Sequence, residues 1–201
     1  MGRSSLCIYS AFSHAARGFS LIEMIVVTGI IIIVSAVILA NSGRLGGVFI
    51  LDNFAYDMAL SVREAQAYGI SVQNYNGNFN VAYGMHLDES SPTTYLLFAD
   101  ATTPNGMYDT GELIQSYTIT RGFKITSICT TADNTSAEDC TTTSLDVLFK
   151  RPEPDALLSK NGASCILVSS ACQMTARIVL TAPRGDQKSV VIPVNGQISV
   201  Q

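Results

Sequence analysis

Four oxygen-bearing side chains, Asp100, Asn105, Asp109 and Glu112, fall within the run FADATTPNGMYDTGE. Hard oxygen donors grouped around a turn are what a calcium ion takes, so the run is a weak calcium candidate. An EF-hand loop wants acids at its first, third and fifth places, glycine at the sixth and glutamate at the twelfth. Here Thr102 and Pro104 take two acid places, and Gly106 and Glu112 each come one place late. The EF-hand is therefore rejected, and the plainer reading is a strand-to-strand loop shaped by Asp, Asn and Gly. His86 lies on an alternating run with no nucleophile and orienting acid beside it. Acyl-transfer chemistry needs all three together. No catalytic residue is assigned, a solvated strand histidine is expected, and no enzyme activity or cofactor is expected.

Cysteine supplies the other candidate chemistry. Cys7 stands alone near the start, while Cys129, Cys140, Cys165 and Cys172 form an even set far downstream. An even set suits disulfides in an oxidising compartment. The short loops favour Cys129–Cys140 and Cys165–Cys172. Buried free thiols and a zinc site remain as alternatives, although neither pair has the spacing of a zinc knuckle.

One further acid stands where an acid is costly. From Phe19 to Ala40 the chain is apolar apart from Glu23. About 20 such residues span a bilayer core. An acid deep in that core costs roughly 2.5–3.5 kcal/mol on insertion scales and so carries a partner or a function. A secretory signal with small residues at Ala40-Asn41-Ser42 is the rival reading, but an acid at the start of the apolar core has no use there. A second plain reading lets Glu23 reach the headgroups from the helix end.

Gly18-Phe19-Ser20-Leu21-Ile22-Glu23, with Arg17 before it and an apolar stretch after it, resembles the processing site of type IV prepilins and type II secretion pseudopilins. The resemblance implies that a prepilin peptidase cuts after Gly18 and methylates the new N-terminus at Phe19. It implies removal of residues 1–18, which takes Arg3 and Arg17 and shifts the formal charge from −4 to −6. Glu23 becomes an assembly residue. A carboxylate four residues beyond a new ammonium lies about 6 Å along a helix axis. The Glu23 carboxylate of one subunit could then meet the Phe19 ammonium of a neighbour in low dielectric, where pairing beats separate burial. The implied place is the inner (cytoplasmic) membrane, single-pass, with the N-terminus in the cytoplasm and the head in the periplasm or outside. Two arginines before the segment against Arg44 after it agree with that orientation. The implied partners are prepilin peptidase, other pilins or pseudopilins in a filament, an inner-membrane assembly platform and membrane lipid.

The elements that position these residues follow from periodicity. Residues 19–40 are expected as a transmembrane or filament-core helix and residues 41–75 as its amphipathic continuation. NSGRLGG, Asn41 to Gly47, carries three glycines and predicts a bend, a melted turn or a linker. Leu51, Ala55, Met58, Val62, Ala65 and Gly69 recur at three and four and predict one face laid on a core. This stretch resembles the GspH/FimT-like minor pseudopilins and pilins. Residues 76–201 are expected as a β-rich head, giving an α+β, pilin-like fold with a long N-terminal helix packed on an antiparallel sheet. Phe79, Val81, Tyr83, Met85 and Leu87 alternate as a half-buried strand. Further strands are predicted at 95–99, 113–120, 123–128, 145–150, 165–168, 177–182, 189–194 and 198–200, separated by Gly, Asn and Pro turns. The Thr/Ser-rich run Thr130 to Thr143 is expected as an exposed loop.

Charge argues against one class of partner. Lys150, Arg151, Lys160, Arg177, Arg184 and Lys188 are dispersed on an acidic chain. Phosphate contacts need a clustered cationic surface, so DNA is a possible partner that is not favoured. The sequence thus points to a structural filament subunit. A filament-displayed binding module for DNA uptake or adhesion is the alternative, and an anchored protein that never assembles is the third.

Overall fold

The computed structural model describes residues 18–133 and 137–201. Residues 1–17, with Arg3, Cys7 and Arg17 of the expected leader, and residues 134–136 of the Thr130–Thr143 loop lie outside the described residues. The fold is α+β, and the chain divides into two compact units, Met1–Gly43 and Arg44–Gln201.

In the first unit the helix α1, which spans Leu21–Ile70, begins. The stretch Leu21–Ala40 is long and apolar enough to cross a membrane. At about 1.5 Å per residue its 20 residues measure about 30 Å, the thickness of a hydrocarbon core. Its apolar side chains face outward all round, Ile22 and Ile33 being 69% and 67% exposed.

The second unit begins inside the same helix. Backbone through Gly43, Gly46 and Gly47 is helical, and the boundary between the two units falls inside the stretch 41–47, after Gly43. Each glycine costs about 1 kcal/mol relative to alanine, which lowers local stability without outweighing a cooperative helix on both sides. Leu51, Ala55, Met58, Val62, Ala65 and Gly69 are all buried, as their spacing predicts.

Among the described residues nine strands follow, in two antiparallel sheets rather than one. They are β1 (Ala82–Asp88), β2 (Thr94–Asp100), β3 (Leu113–Thr118), β4 (Lys124–Thr131), β5 (Ser144–Phe149), β6 (Ala156–Lys160), β7 (Thr175–Thr181), β8 (Gln187–Pro193) and β9 (Ser199–Val200). The first sheet has the order β3-β2-β1-β5-β6 and the second β4-β7-β8-β9. At the centre of the first sheet Met85 stands opposite Leu97 on one side and Val147 on the other. One core joins the buried helix face to Met85, Leu97 and Val147 of the first sheet and to Ile128, Ile178 and Ile192 of the second.

One expected strand is absent from the described residues and one strand is unexpected, each for a physical reason. Cys165–Val168 is not a strand, because the Cys165–Cys172 disulfide closes that run around a short 3-10 turn, Ser169–Ala171. The missed strand β6 begins just after Pro152-Glu153-Pro154, which masked its apolar run. β1 is not half-buried either. Its inner residues join the helix side, and Ala82 on its outer face packs with Phe98, Leu148, Tyr108 and Leu157.

Close approach explains two glycines. A Cβ on Gly84 would lie 2.8 Å from the Phe98 ring, and one on Gly69 would lie 2.4 Å from the Phe149 carbonyl oxygen. Gly46 and Gly47 have nothing within 4 Å. Gly69→Ala is therefore expected to destabilise the protein by about 1–3 kcal/mol through forced backbone displacement. Gly46→Ala is expected to stabilise it by up to about 1 kcal/mol. Thermal unfolding of the two variants in detergent checks the opposite signs, and a shift in the same direction for both contradicts the packing argument.

Candidate functional site

The sequence-predicted processing site lies at the start of α1. Phe19 is 72% exposed, Gly18 to Ser20 precede the helix, and Glu23 occupies its exposed first turn. Ser20 is a residue the sequence reading missed. Its Oγ accepts a hydrogen bond from the Glu23 backbone N–H at 3.2 Å, and its carbonyl accepts from Met24 N–H at 3.2 Å. That is the N-cap geometry of an S-x-x-E box, a signal present in the sequence as Ser20-Leu21-Ile22-Glu23. Glu23 thus also favours the helix start through the dipole. Deeper in the segment, the Thr28 hydroxyl donates back to the carbonyls of Met24 at 2.9 Å and Ile25 at 3.0 Å, so that hydroxyl is satisfied within the helix.

Three of the four oxygen donors, Asn105, Asp109 and Glu112, lie in one loop, Ala101–Glu112, and Asp100 ends β2 just before it; the Asp100 and Glu112 carboxylates face the backbone of that loop. Glu112, fully buried, accepts from the N–H groups of Thr102 at 2.8 Å and Ala101 at 3.1 Å through Oε1, which Thr103 N–H also approaches at 3.3 Å. Its Oε2 accepts from Asp109 N–H at 3.0 Å. Asp100, 3% exposed, accepts from Asn105 N–H at 3.0 Å and Gly106 N–H at 2.9 Å. Asn105 in turn donates to the Asp109 carboxylate at 3.0 Å. The carboxylates organise the loop by satisfying its orphan donors. They do not converge on a common point. Among the described residues, the three-residue group of possible metal donors that does converge is Cys129, Glu138 and Cys140. Its two sulfurs are already joined in a disulfide.

His86 is not solvated as expected. Its Nδ1 lies 2.7 Å from Oδ1 of buried Asp146, which also accepts from Tyr108 N–H at 3.1 Å, and its ring lies 5.2 Å from that of Tyr108. The pair ties the Ala101–Glu112 loop to the outer face of the first sheet.

Both disulfides take the short pairing, Cys129–Cys140 and Cys165–Cys172. Several cations of the C-terminal third have partners within the chain. Arg177 pairs with Glu138, Lys160 with Asp139 and Lys188 with Asp52, while Arg151 donates to the Phe79 carbonyl. Arg177 holds the Glu138 carboxyl below the usual range, and Lys160 with Thr141 does the same for Asp139. Three of the six cations are thus paired with carboxylates. Comparison with protein-family models, curated proteins and solved structures finds no match to this chain.

Burial pushes the Asp100 carboxyl up to about 6, against the downward pull of the Gly106 and Asn105 N–H groups. A proton held more tightly by the folded state stabilises it fully below the ordinary value of 3.8, and that contribution is lost as pH rises through about 6. Asp100→Asn is expected to remove this component, so that the difference in melting temperature between wild type and variant changes between pH 4 and 6 and is flat above about 7. A difference independent of pH contradicts the shift. Glu112→Gln, which replaces an acceptor oxygen by a donor, is expected to cost about 1–3 kcal/mol in the same assay.

Proposed function

We propose that the chain is a structural filament subunit of the prepilin type, a GspH/FimT-like minor pseudopilin or minor pilin. Prepilin peptidase cleaves it between Gly18 and Phe19 and methylates Phe19. The subunit is stored in the inner membrane and moves through an assembly platform into a pseudopilus or type IV pilus. The observation that carries this reading is the run Gly18-Phe19-Ser20-Leu21-Ile22-Glu23 set directly before a helix whose apolar side chains are uncovered on every side. Burying each of those side chains is worth about 1.5–3 kcal/mol, a gain that lipid or other copies of the helix can supply. Glu23, in the first turn, then pairs with the Phe19 ammonium of a neighbouring subunit.

The cap geometry sharpens the test, because Glu23 has a local role as well. Glu23→Gln keeps a residue suited to the third helical position and removes the charge. Ser20→Ala removes the cap, at about 1 kcal/mol, and keeps the charge. Glu23→Gln is expected to be cleaved normally and to be absent from the filament fraction, whereas Ser20→Ala is expected to be present there. Normal incorporation of Glu23→Gln would sink the pairing role. Mass spectrometry of filament material is expected to find N-methylated phenylalanine at Phe19; a chain that keeps residues 1–18 overturns the reading as a whole.

A further inference from the structure

A cleft of about 370 Å³ opens in the second unit between α1 and β3, away from the processing site. Tyr95 and Tyr117 stack in its wall with ring centroids 5.0 Å apart and planes 11° from parallel. Phe54 stands at its rim, and Asp57, Ser61 and Glu64 line the helix side. Asp57 and Glu64 are seven residues apart, about 10.5 Å along one helix face. Glu64 is held in place by two phenols. The Tyr117 hydroxyl donates to its Oε2 at 2.7 Å and the Tyr68 hydroxyl to its Oε1 at 2.9 Å. Among the described residues no ion pair involves Asp57 or Glu64, and no basic side chain lines the cleft. Burial first, then the Glu64 carboxylate, raises the Tyr117 phenol, which accords with a negative field in the cleft.

Those features describe a seat for a cation. Aromatic rings attract one within about 6 Å of the ring centre, and two carboxylates without cationic partners add charge. The second observation concerns the backbone beside the cleft. β3 ends its sheet, pairs with β2 on one side and, among the described residues, has no strand partner on the other. Leu113 to Ser116 of that strand are exposed. An edge strand with free N–H and C=O groups is a template for an added strand. In an added strand every second side chain falls on one face, and the face shared with Tyr117 is the cleft side.

We infer that this is a recognition site for an extended basic peptide segment. The segment pairs with the free edge of β3 and places an arginine or lysine side chain over the stacked tyrosines, between Asp57 and Glu64. The inference goes beyond the filament reading and does not depend on it.

The test uses the full chain in detergent and a fluorescent, end-blocked hexapeptide alternating valine and arginine, followed by anisotropy. The arginine peptide is expected to bind, with affinity falling as salt rises. Its citrulline counterpart, uncharged at the same shape, is expected to bind at least about tenfold more weakly. Asp57→Asn alters an exposed side chain and is expected to weaken binding while leaving the fold intact by circular dichroism. Glu64→Gln is expected to weaken it further, and Lys160→Gln, distant from the cleft, to leave it unchanged. A peptide N-methylated on the residues that would pair with β3 is expected to lose binding. Equal binding of the citrulline peptide, or unchanged binding by the Asp57→Asn/Glu64→Gln double variant, overturns the cation seat. Equal binding of the N-methylated peptide or of agmatine alone overturns the edge-strand part. No binding of the arginine peptide overturns the proposal entire.

Discussion

Two antiparallel sheets each present an apolar inner face, and neither can be covered by its own strands. The buried face of α1 between Leu51 and Gly69 answers that constraint, because it joins one core with the inner residues of both sheets. Its residues are small where approach is closest, with Ala55 and Ala65 fully buried and Gly69 against the Phe149 backbone. The polar flanks of the same helix serve the loops. Gln66 donates to the carbonyls of Pro154 at 2.9 Å and Gly196 at 3.2 Å, and Arg63 donates to that of Ile198 at 3.0 Å. Pro154 leads into β6 of the first sheet, and Ile198 leads into β9 of the second. One helix thus satisfies apolar faces and orphan carbonyls of both sheets, so a loss at this face is felt across the unit.

The outer face of the first sheet is closed by a different device. Ala101–Glu112 lies over it, and backbone donors of that loop turn inward onto Asp100, Glu112 and Asp146. These three side chains accept from seven backbone N–H groups, of which that of Gly106 is in a buried bond, where a lost partner costs about 1–3 kcal/mol. The same loop is steadied from the other side by Ser164, whose hydroxyl donates to the Asn105 carbonyl, and Ser164 leads into the Cys165–Cys172 loop. Acids that look like cation ligands in sequence here accept hydrogen bonds from the backbone of a loop.

The contrast shows what the sequence makes legible. Helical spacing revealed the buried face of α1 because period 3.6 reports burial directly. Most strands emerged from alternation and turn residues, and the short disulfide loops from cysteine spacing. Three features were hidden. β6 follows two prolines and is short. The outer cover of β1 depends on Phe98 and Tyr108 arriving from elsewhere in the chain. Whether a carboxylate accepts from backbone N–H or waits for an ion is a matter of where the loop turns back, which no local pattern of Asp and Glu encodes. The Ser20 cap differs, since its S-x-x-E signal was present and merely overshadowed by the apolar run that follows.

That overshadowing bears on how Glu23 should be understood. In the first turn of α1 its carboxylate meets the positive end of the helix dipole, worth about 0.3–1 kcal/mol at an exposed site. The insertion cost of an acid is roughly 2.5–3.5 kcal/mol at the centre of a bilayer and falls toward the headgroups, where a residue at the helix start can sit. Dipole and cap therefore make the acid tolerable in a lone membrane helix, but they do not require a charge, since an uncharged glutamine suits the same position. A filament raises the demand. Once helices pack against one another, a carboxylate among apolar neighbours is stable only with a counter-charge, and a newly formed ammonium one turn away in sequence offers it. Tolerance is a property of the single helix, whereas necessity, on the proposed reading, arises only when a second helix arrives.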